Sequence, residues 1–174
     1  MMNFQYKESL PAGFSSSSRV WIYQSNRLFT VGEALEVEEL LQNFAESWQS
    51  HGASVKGFAN LLFGQFILLM ADESGAGVSG CSTDSSVRII KNIEQRFRVD
   101  LFDRLSLAFI IRGKVQLLPL SQIAYAMENK FIDSETLYFN NTVQSKEELE
   151  KSWIIPIKDS WISKKIVQAQ YSGK

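Results

Sequence analysis

Apolar residues recur along this chain with two periods, and the changes of period mark its elements. In Arg19 to Asn26, RVWIYQSN, Val20, Ile22 and Gln24 alternate with Trp21 and Tyr23, which predicts a strand. Both of its faces are largely apolar, so the strand is expected inside a sheet. After Thr30 the period lengthens: Val37, Leu40, Leu41, Phe44 and Trp48 follow at helical spacing. Thr30 and Glu33 form a capping-box pattern, in which the hydroxyl accepts from the Glu33 amide and the carboxylate reaches back to the Thr30 amide. Gly52 reads as the end of this helix. Two strands are predicted between about Ser54 and Asp72, split near Gly64-Gln65, the second being FILLMAD. A second helix is predicted from about Asp84 to Arg98. It turns Val87, Ile90, Ile93 and Phe97 to the core and leaves Lys91, Arg96 and Arg98 in water. LSLAFII and VQLL, joined at Arg112-Gly113-Lys114, read as a hairpin.

The remainder reads as a short helix after Ser121, a strand in LYFNN, and a helix opened by Ser145 with Glu148 as capping partner. The tail WIIPIKDSWISKK, broken by Pro156, has no clear type. The order β-α-β-β-α-β predicts an α+β protein with a mainly antiparallel sheet and helices on one face. This is a ferredoxin-like core with C-terminal additions. Residues 1–18, with Pro11, Gly13 and four serines before Arg19, read as a flexible lead-in, and residues 19–174 as a single domain.

Composition narrows the function classes. Of 174 residues, 45% are hydrophobic and 21% charged, a globular balance with enough chain to bury a core. Eighteen Lys and Arg against 19 Asp and Glu leave a formal charge of −1. That balance weighs against nucleic-acid binding, which needs basic residues on phosphates. The opening residues carry no basic stretch leading into an apolar run. The longest apolar-rich run, about 58–71, is interrupted by Asn60, Gly64 and Gln65. Neither a signal peptide nor a membrane span is expected, and the protein reads as cytoplasmic. Cys81 is the only cysteine, which excludes an internal disulfide and a multi-cysteine zinc site. No metal or cofactor is expected. Asn140-Asn141-Thr142 matches a glycosylation sequon, read as chance without a secretion route.

Candidate chemistry gathers in SGAGVSGCSTDSSV, Ser74 to Val87, which contains G-x-G-x-x-G at Gly75, Gly77 and Gly80. A dinucleotide loop places its third glycine in the first turns of a helix and an acid at the end of the next strand. Here the helix is predicted after Gly80, and Asp100 precedes the next strand, so the string reads as a turn. The segment after it offers more. With Ser82, Thr83 or Asp84 capping the second helix, free N–H groups and the positive helix end gather beside Cys81. Such an end can hold a carboxylate or phosphate, with Gly80, Ser82, Thr83, Asp84 and Ser85 as candidate ligands, and it lowers a thiol's pKa. A polar helix start beside a small buried cysteine fits the same residues. His51, the only histidine, reads as exposed or as a partner of the first helix's last carbonyls. A ferredoxin-like layout does not require that helix end to meet the start of the second, which leaves Cys81 without a base. Arg19, Trp21, Tyr23 and Arg27, and separately Lys158 and Trp161, are residue types found at binding hot spots and equally in cores and rims.

In combination, SRVWIYQSNR, SGCSTDSSVRIIKNIE, FNNTV and WIIPIKDSW resemble a small bacterial family of the Bacteroidetes type, often labelled "ABC transporter ATPase". The resemblance covers about Arg19 to Trp161, and its shared part of the glycine-rich stretch is Gly80-Cys81-Ser82 with Asp84. The label implies ATP hydrolysis, which needs G-x-x-x-x-G-K-[ST] to cradle phosphates and magnesium. No glycine here meets that pattern; Gly113-Lys114 is followed by Val115. The expectation is therefore a non-catalytic cytoplasmic binding domain, taking a small anion or a protein partner at the start of the second helix. A thiol-dependent enzyme or redox sensor using Cys81 is the alternative, and a homodimer burying exposed aromatics a further possibility.

Overall fold

The computed structural model describes residues 2–50, 52–74 and 81–172, with backbone alone at 50, 53, 81–83 and 167–172. In chain order the elements are β1 (Arg19–Gln24), α1 (Val31–Ser47), β2 (Gln49–Ser50), β3 (Ala53–Ser54), β4 (Lys56–Leu62), β5 (Phe66–Asp72) and α2 (Cys81–Phe97). They continue with β6 (Ser106–Ile111), β7 (Lys114–Pro119), α3 (Ile123–Glu128), β8 (Leu137–Phe139), α4 (Lys146–Ser152), β9 (Ile154–Pro156) and α5 (Trp161–Ser172). All strand pairs are antiparallel, and the protein has an α+β fold. Contacts divide the chain into two compact units, one of residues 4–103 with 141–150, the other of residues 2–3, 104–140 and 151–172.

The first unit is built on the sheet β1-β5-β4. FILLMAD is buried at every position, as a central strand apolar on both faces requires. Its odd-numbered side chains, Ile67, Leu69 and Ala71, join Tyr23 and Leu61 beneath Val37 and Leu41 of α1 and Ile90 and Ile93 of α2. Both helices thus cover one face. The Thr30–Glu33 capping box forms in full: the Thr30 hydroxyl accepts from Glu33 N at 3.3 Å, and the Glu33 carboxylate accepts from Thr30 N at 2.8 Å. Arg27 adds two hydrogen bonds to that carboxylate, at 2.7 and 2.9 Å. The β4–β5 turn places Phe63 and Gly64 at φ 55° and 62°, the left-handed region that matches strand twist in tight hairpins. Within the lead-in, Tyr6 is buried and donates to Leu149 O at 2.6 Å. Burial, with the charge of Glu150 second, raises its phenol pKa to about 12.

Four sequence expectations meet differences here. Strand β1, expected inside a sheet, is the outermost strand of β1-β5-β4, because apolar faces report cover above and below a strand and not a neighbour at its side. Helix α1 ends at Ser47, where Trp48 turns extended with ψ 122°. Gly52, at φ 78°, instead turns the small hairpin β2–β3. Among the described residues helix α2 spans Cys81–Phe97, so Ser82, Thr83 and Asp84 are helical residues and not caps. The strand after α2 does not join β1 to complete a ferredoxin-like sheet. Both edges of β6 are filled, by its hairpin partner β7 and by β8. The open edge of β1 meets a different segment: Arg19 bridges Ser145, and Val20 N donates to Gln144 O at 3.0 Å.

The second unit carries the sheet β7-β6-β8-β9. Leu107, Phe109, Ile111 and Tyr138 form its core with Ile123 and Ala126 of α3 and Ile162 of α5. The β6–β7 turn uses Arg112 and Gly113 at φ 52° and 72°. The Ser145 cap of α4 forms, its hydroxyl accepting from Glu148 N at 3.2 Å. The Glu148 carboxylate reaches one residue further back than expected, to Gln144 N at 2.7 Å. Among the described residues, no helix is long and apolar enough to cross a membrane.

Candidate functional site

Helices α1 and α2 lie side by side on the first unit's sheet and run in opposite directions. Glu36, early in α1, meets Arg96, late in α2, at 2.6 Å. The second half of α1 therefore faces the first half of α2, and between them a cleft of about 440 Å³ opens. Leu40, Phe44 and Trp48 from the α1 side and Ile89 from α2 give it an apolar lining. Those four belong to or pack against the unit's core. Phe44 and Trp48 are held ring against ring, with centroids 4.8 Å apart.

Polar side chains rim this lining: Asn43, Ser47, Gln49, Ser85, Asn92 and Arg88. Arg88 and Asn92 stand four residues apart on α2, which puts them on one helix face. Asn43, Ser47, Gln49, Arg88 and Asn92 are exposed and Ser85 is half-buried. Arg88 is the one charged group among the described lining residues and forms no ion pair with any described residue. The cleft thus combines an aromatic and aliphatic lining, neutral hydrogen-bonding groups and one available guanidinium. Among the described lining residues there is no acid–base pair. Among the described residues no group of three or more His, Cys, Asp or Glu side chains could hold a metal.

The residues singled out by sequence fall in several places. Ser85 lines the cleft, Asp84 is exposed beside it in sequence, and Ser86 is fully buried. Cys81, Ser82 and Thr83 form the first turn of α2, while their side chains, and Gly75, Gly77, Gly80 and His51, lie outside the described residues. The end of α1 and the first half of α2, which the expected layout did not require to meet, line the same cleft. Arg19 pairs with Glu73 at 3.2 Å and lies 4.8 Å from the Trp21 ring centroid. Trp21 packs on Trp48 with centroids 5.9 Å apart, and Tyr23 is buried against Phe102. Arg27 is taken up by Glu33 and by Phe97 O at 2.8 Å. In the other unit, Lys158 pairs with Glu135 at 2.8 Å, and the Trp161 indole donates to the Tyr138 hydroxyl at 3.1 Å.

Sequence reasoning missed Asn43, Ser47, Arg88 and Asn92, each of which reads as an ordinary solvated helix position. The one legible signal was the pairing of Arg88 with Asn92 beside Ser85 on one face of α2. In comparisons with known proteins, no family model, curated protein or solved structure matches the chain.

Proposed function

We propose that the chain is a cytoplasmic binding module whose α1–α2 cleft holds a small organic anion bearing an apolar ring or chain. The observation that carries this reading is Arg88: a guanidinium with no ion pair among the described residues, at the rim of an aromatic-lined cleft. An apolar lining gives affinity, and a few polar groups at the mouth set orientation, as in small-molecule sites generally. Guanidinium is suited to carboxylates and phosphates because its donors form a planar fork. Asn43, Asn92 and Ser85 supply neutral donors and acceptors around the same anion.

The test is a titration with 2-naphthoate, and with 2-naphthamide as its uncharged counterpart, followed at the Trp48 indole resonance. Naphthoate is expected to bind saturably and the amide about fivefold or more weakly, the effect of losing one charge-assisted contact at an exposed rim. Arg88→Ala should erase the preference while retaining weak binding of both. Equal affinity for acid and amide in the unsubstituted protein would end the reading.

A second reading uses Cys81, which lies at the described N-terminal end of α2; near a helix start the dipole favours a thiolate. Its alkylation rate should then be half-maximal well below pH 8.5, the ordinary thiol range. A midpoint at or above that value removes it.

A further inference from the structure

We propose that the outer edge of β4 docks an extended, basic segment of a partner protein, added to the first unit's sheet as a fourth strand. The order β1-β5-β4 leaves β4 outermost. From Gly57 to Leu61 its backbone bonds only to β5 among the described residues. Edges of this kind are usually blunted by prolines, charges or bulges. Between Gly57 and Leu62, GFANLL, there is no proline and no charge, and pairing with β5 proceeds without a bulge. The one nearby cation, Lys56, is engaged with Gly13 O at 2.7 Å and Asp72 at 3.2 Å.

Helix α1 runs antiparallel beside this edge. Phe29 N, just before it, donates to Gly64 O at 2.9 Å, and Trp48 just after it lies on Gly57. Between helix and strand is a trough of about 430 Å³, lined by Glu38, Gln42, Ala45 and Glu46 on one side and 57–60 on the other. One stripe of α1 follows it at helical spacing. Val31 and Leu35, 81% and 63% exposed, form its apolar end, and Glu38 and Glu46 its acidic end. Neither glutamate has a cationic partner among the described residues.

These features choose the occupant. A row of unpaired backbone groups is satisfied by another extended backbone, and alternate side chains of the added strand then meet the flanking helix. Two carboxylates beside the edge, neither with a cationic partner among the described residues, favour lysine or arginine there over acidic residues. Val31 and Leu35 take an apolar side chain at the other end. The trough lies on the opposite side of α1 from the α1–α2 cleft, and the two sites stand or fall separately.

The experiment uses the full chain and a soluble octapeptide of alternating valine and lysine, with a valine–glutamate octapeptide as control, read by amide chemical shifts. The valine–lysine peptide is expected to bind saturably, with shifts centred on 57–62 and on α1. Glu38→Lys with Glu46→Lys, both exposed, should weaken it about fivefold or more. Two further probes carry N-methyl groups on alternate peptide amides, in opposite phase. Strand addition requires that one phase abolish binding and the other leave it. Loss in both phases, loss in neither, indifference to the charge reversals, or no saturation up to about 1 mM would overturn the proposal. A concentration-dependent dimer with protected 57–62 amides would also overturn it, since a second copy would then own the edge.

Discussion

Trp48 lies so close to Gly57 that a methyl group on that glycine would stand 2.5 Å from Cε3 of the indole. The ring has no room to yield. It is 2% exposed and held between Phe44 and Trp21, at centroid distances of 4.8 and 5.9 Å. Gly57→Ala is expected to destabilise the protein by about 1–3 kcal/mol, the usual penalty for overpacking. A urea titration reads this as a lower midpoint at unchanged slope. An unmoved midpoint would mean that the indole shifts freely.

The Arg27–Glu33–Thr30 clasp predicts a specific acid sensitivity. Hydrogen bonds from Arg27, then from the Thr30 amide, lower the Glu33 carboxyl from 4.5 to about 2. The folded protein therefore holds this proton less tightly than the unfolded chain. The clasp's contribution is complete above pH 4.5 and is lost as pH falls through about 2. Denaturant midpoints of the unsubstituted protein and of Glu33→Gln should differ near neutral pH and converge across that window. Parallel profiles would dissociate Glu33 from acid unfolding.

Removing the cap itself is a separate matter. Thr30→Ala should cost about 1 kcal/mol, as loss of a helix N-cap does, and should leave the acid profile largely in place because Arg27 still holds Glu33. Thermal unfolding at pH 7 and at pH 3 distinguishes the two effects.

Ser18 predicts a change of the opposite sign. Its hydroxyl is buried, the residue being 1% exposed, and finds no hydrogen-bond partner among the described residues. An unpaired buried hydroxyl is a net cost, so Ser18→Ala is expected to stabilise by up to about 1 kcal/mol. A lowered melting temperature would mean that the hydroxyl has a partner after all.

Glu36 and Arg96 join α1 to α2 at 2.6 Å, yet both side chains are about half exposed. Exposed pairs gain little in water. Glu36→Gln with Arg96→Gln should move stability by no more than about 0.5 kcal/mol. A larger loss would mark this pair as the clamp that sets the cleft.

Local signals were legible in the sequence, and choices between distant partners were not. The Thr30–Glu33 and Ser145–Glu148 caps lie three residues apart and leave their trace in the residue types. FILLMAD was legible as a strand but not as the central one, and RVWIYQSN, equally apolar on both faces, misled by reading as an inner strand when it is an outer one. Gly52 misled, since the same left-handed conformation that ends helices also turns hairpins. The real stop, Trp48 leaving the helix to lie on Gly57, depends on a strand that has to be placed first. Nothing local to β6 states that it will take β7 and β8 as neighbours in place of β1. The cleft was hidden for the same reason: Leu40, Phe44 and Ile89 read as core stripes of separate helices, and only the packing of α1 on α2 brings Arg88 and Asn43 to one rim.

The segment 141–150 that closes the edge of β1 belongs to the first unit although residues 104–140 of the other unit precede it. Val20, Lys146 and Glu147 secure it through main-chain bonds to Gln144, Ser18 and Ser16. A ribosome that has released residue 103 has therefore delivered the sheet and both its helices, but not the strip that seals their flank. Until the chain has grown past residue 150, β1 travels with a bare margin. Synthesis order, and not only sequence, sets how long this protein is vulnerable to pairing with a neighbour.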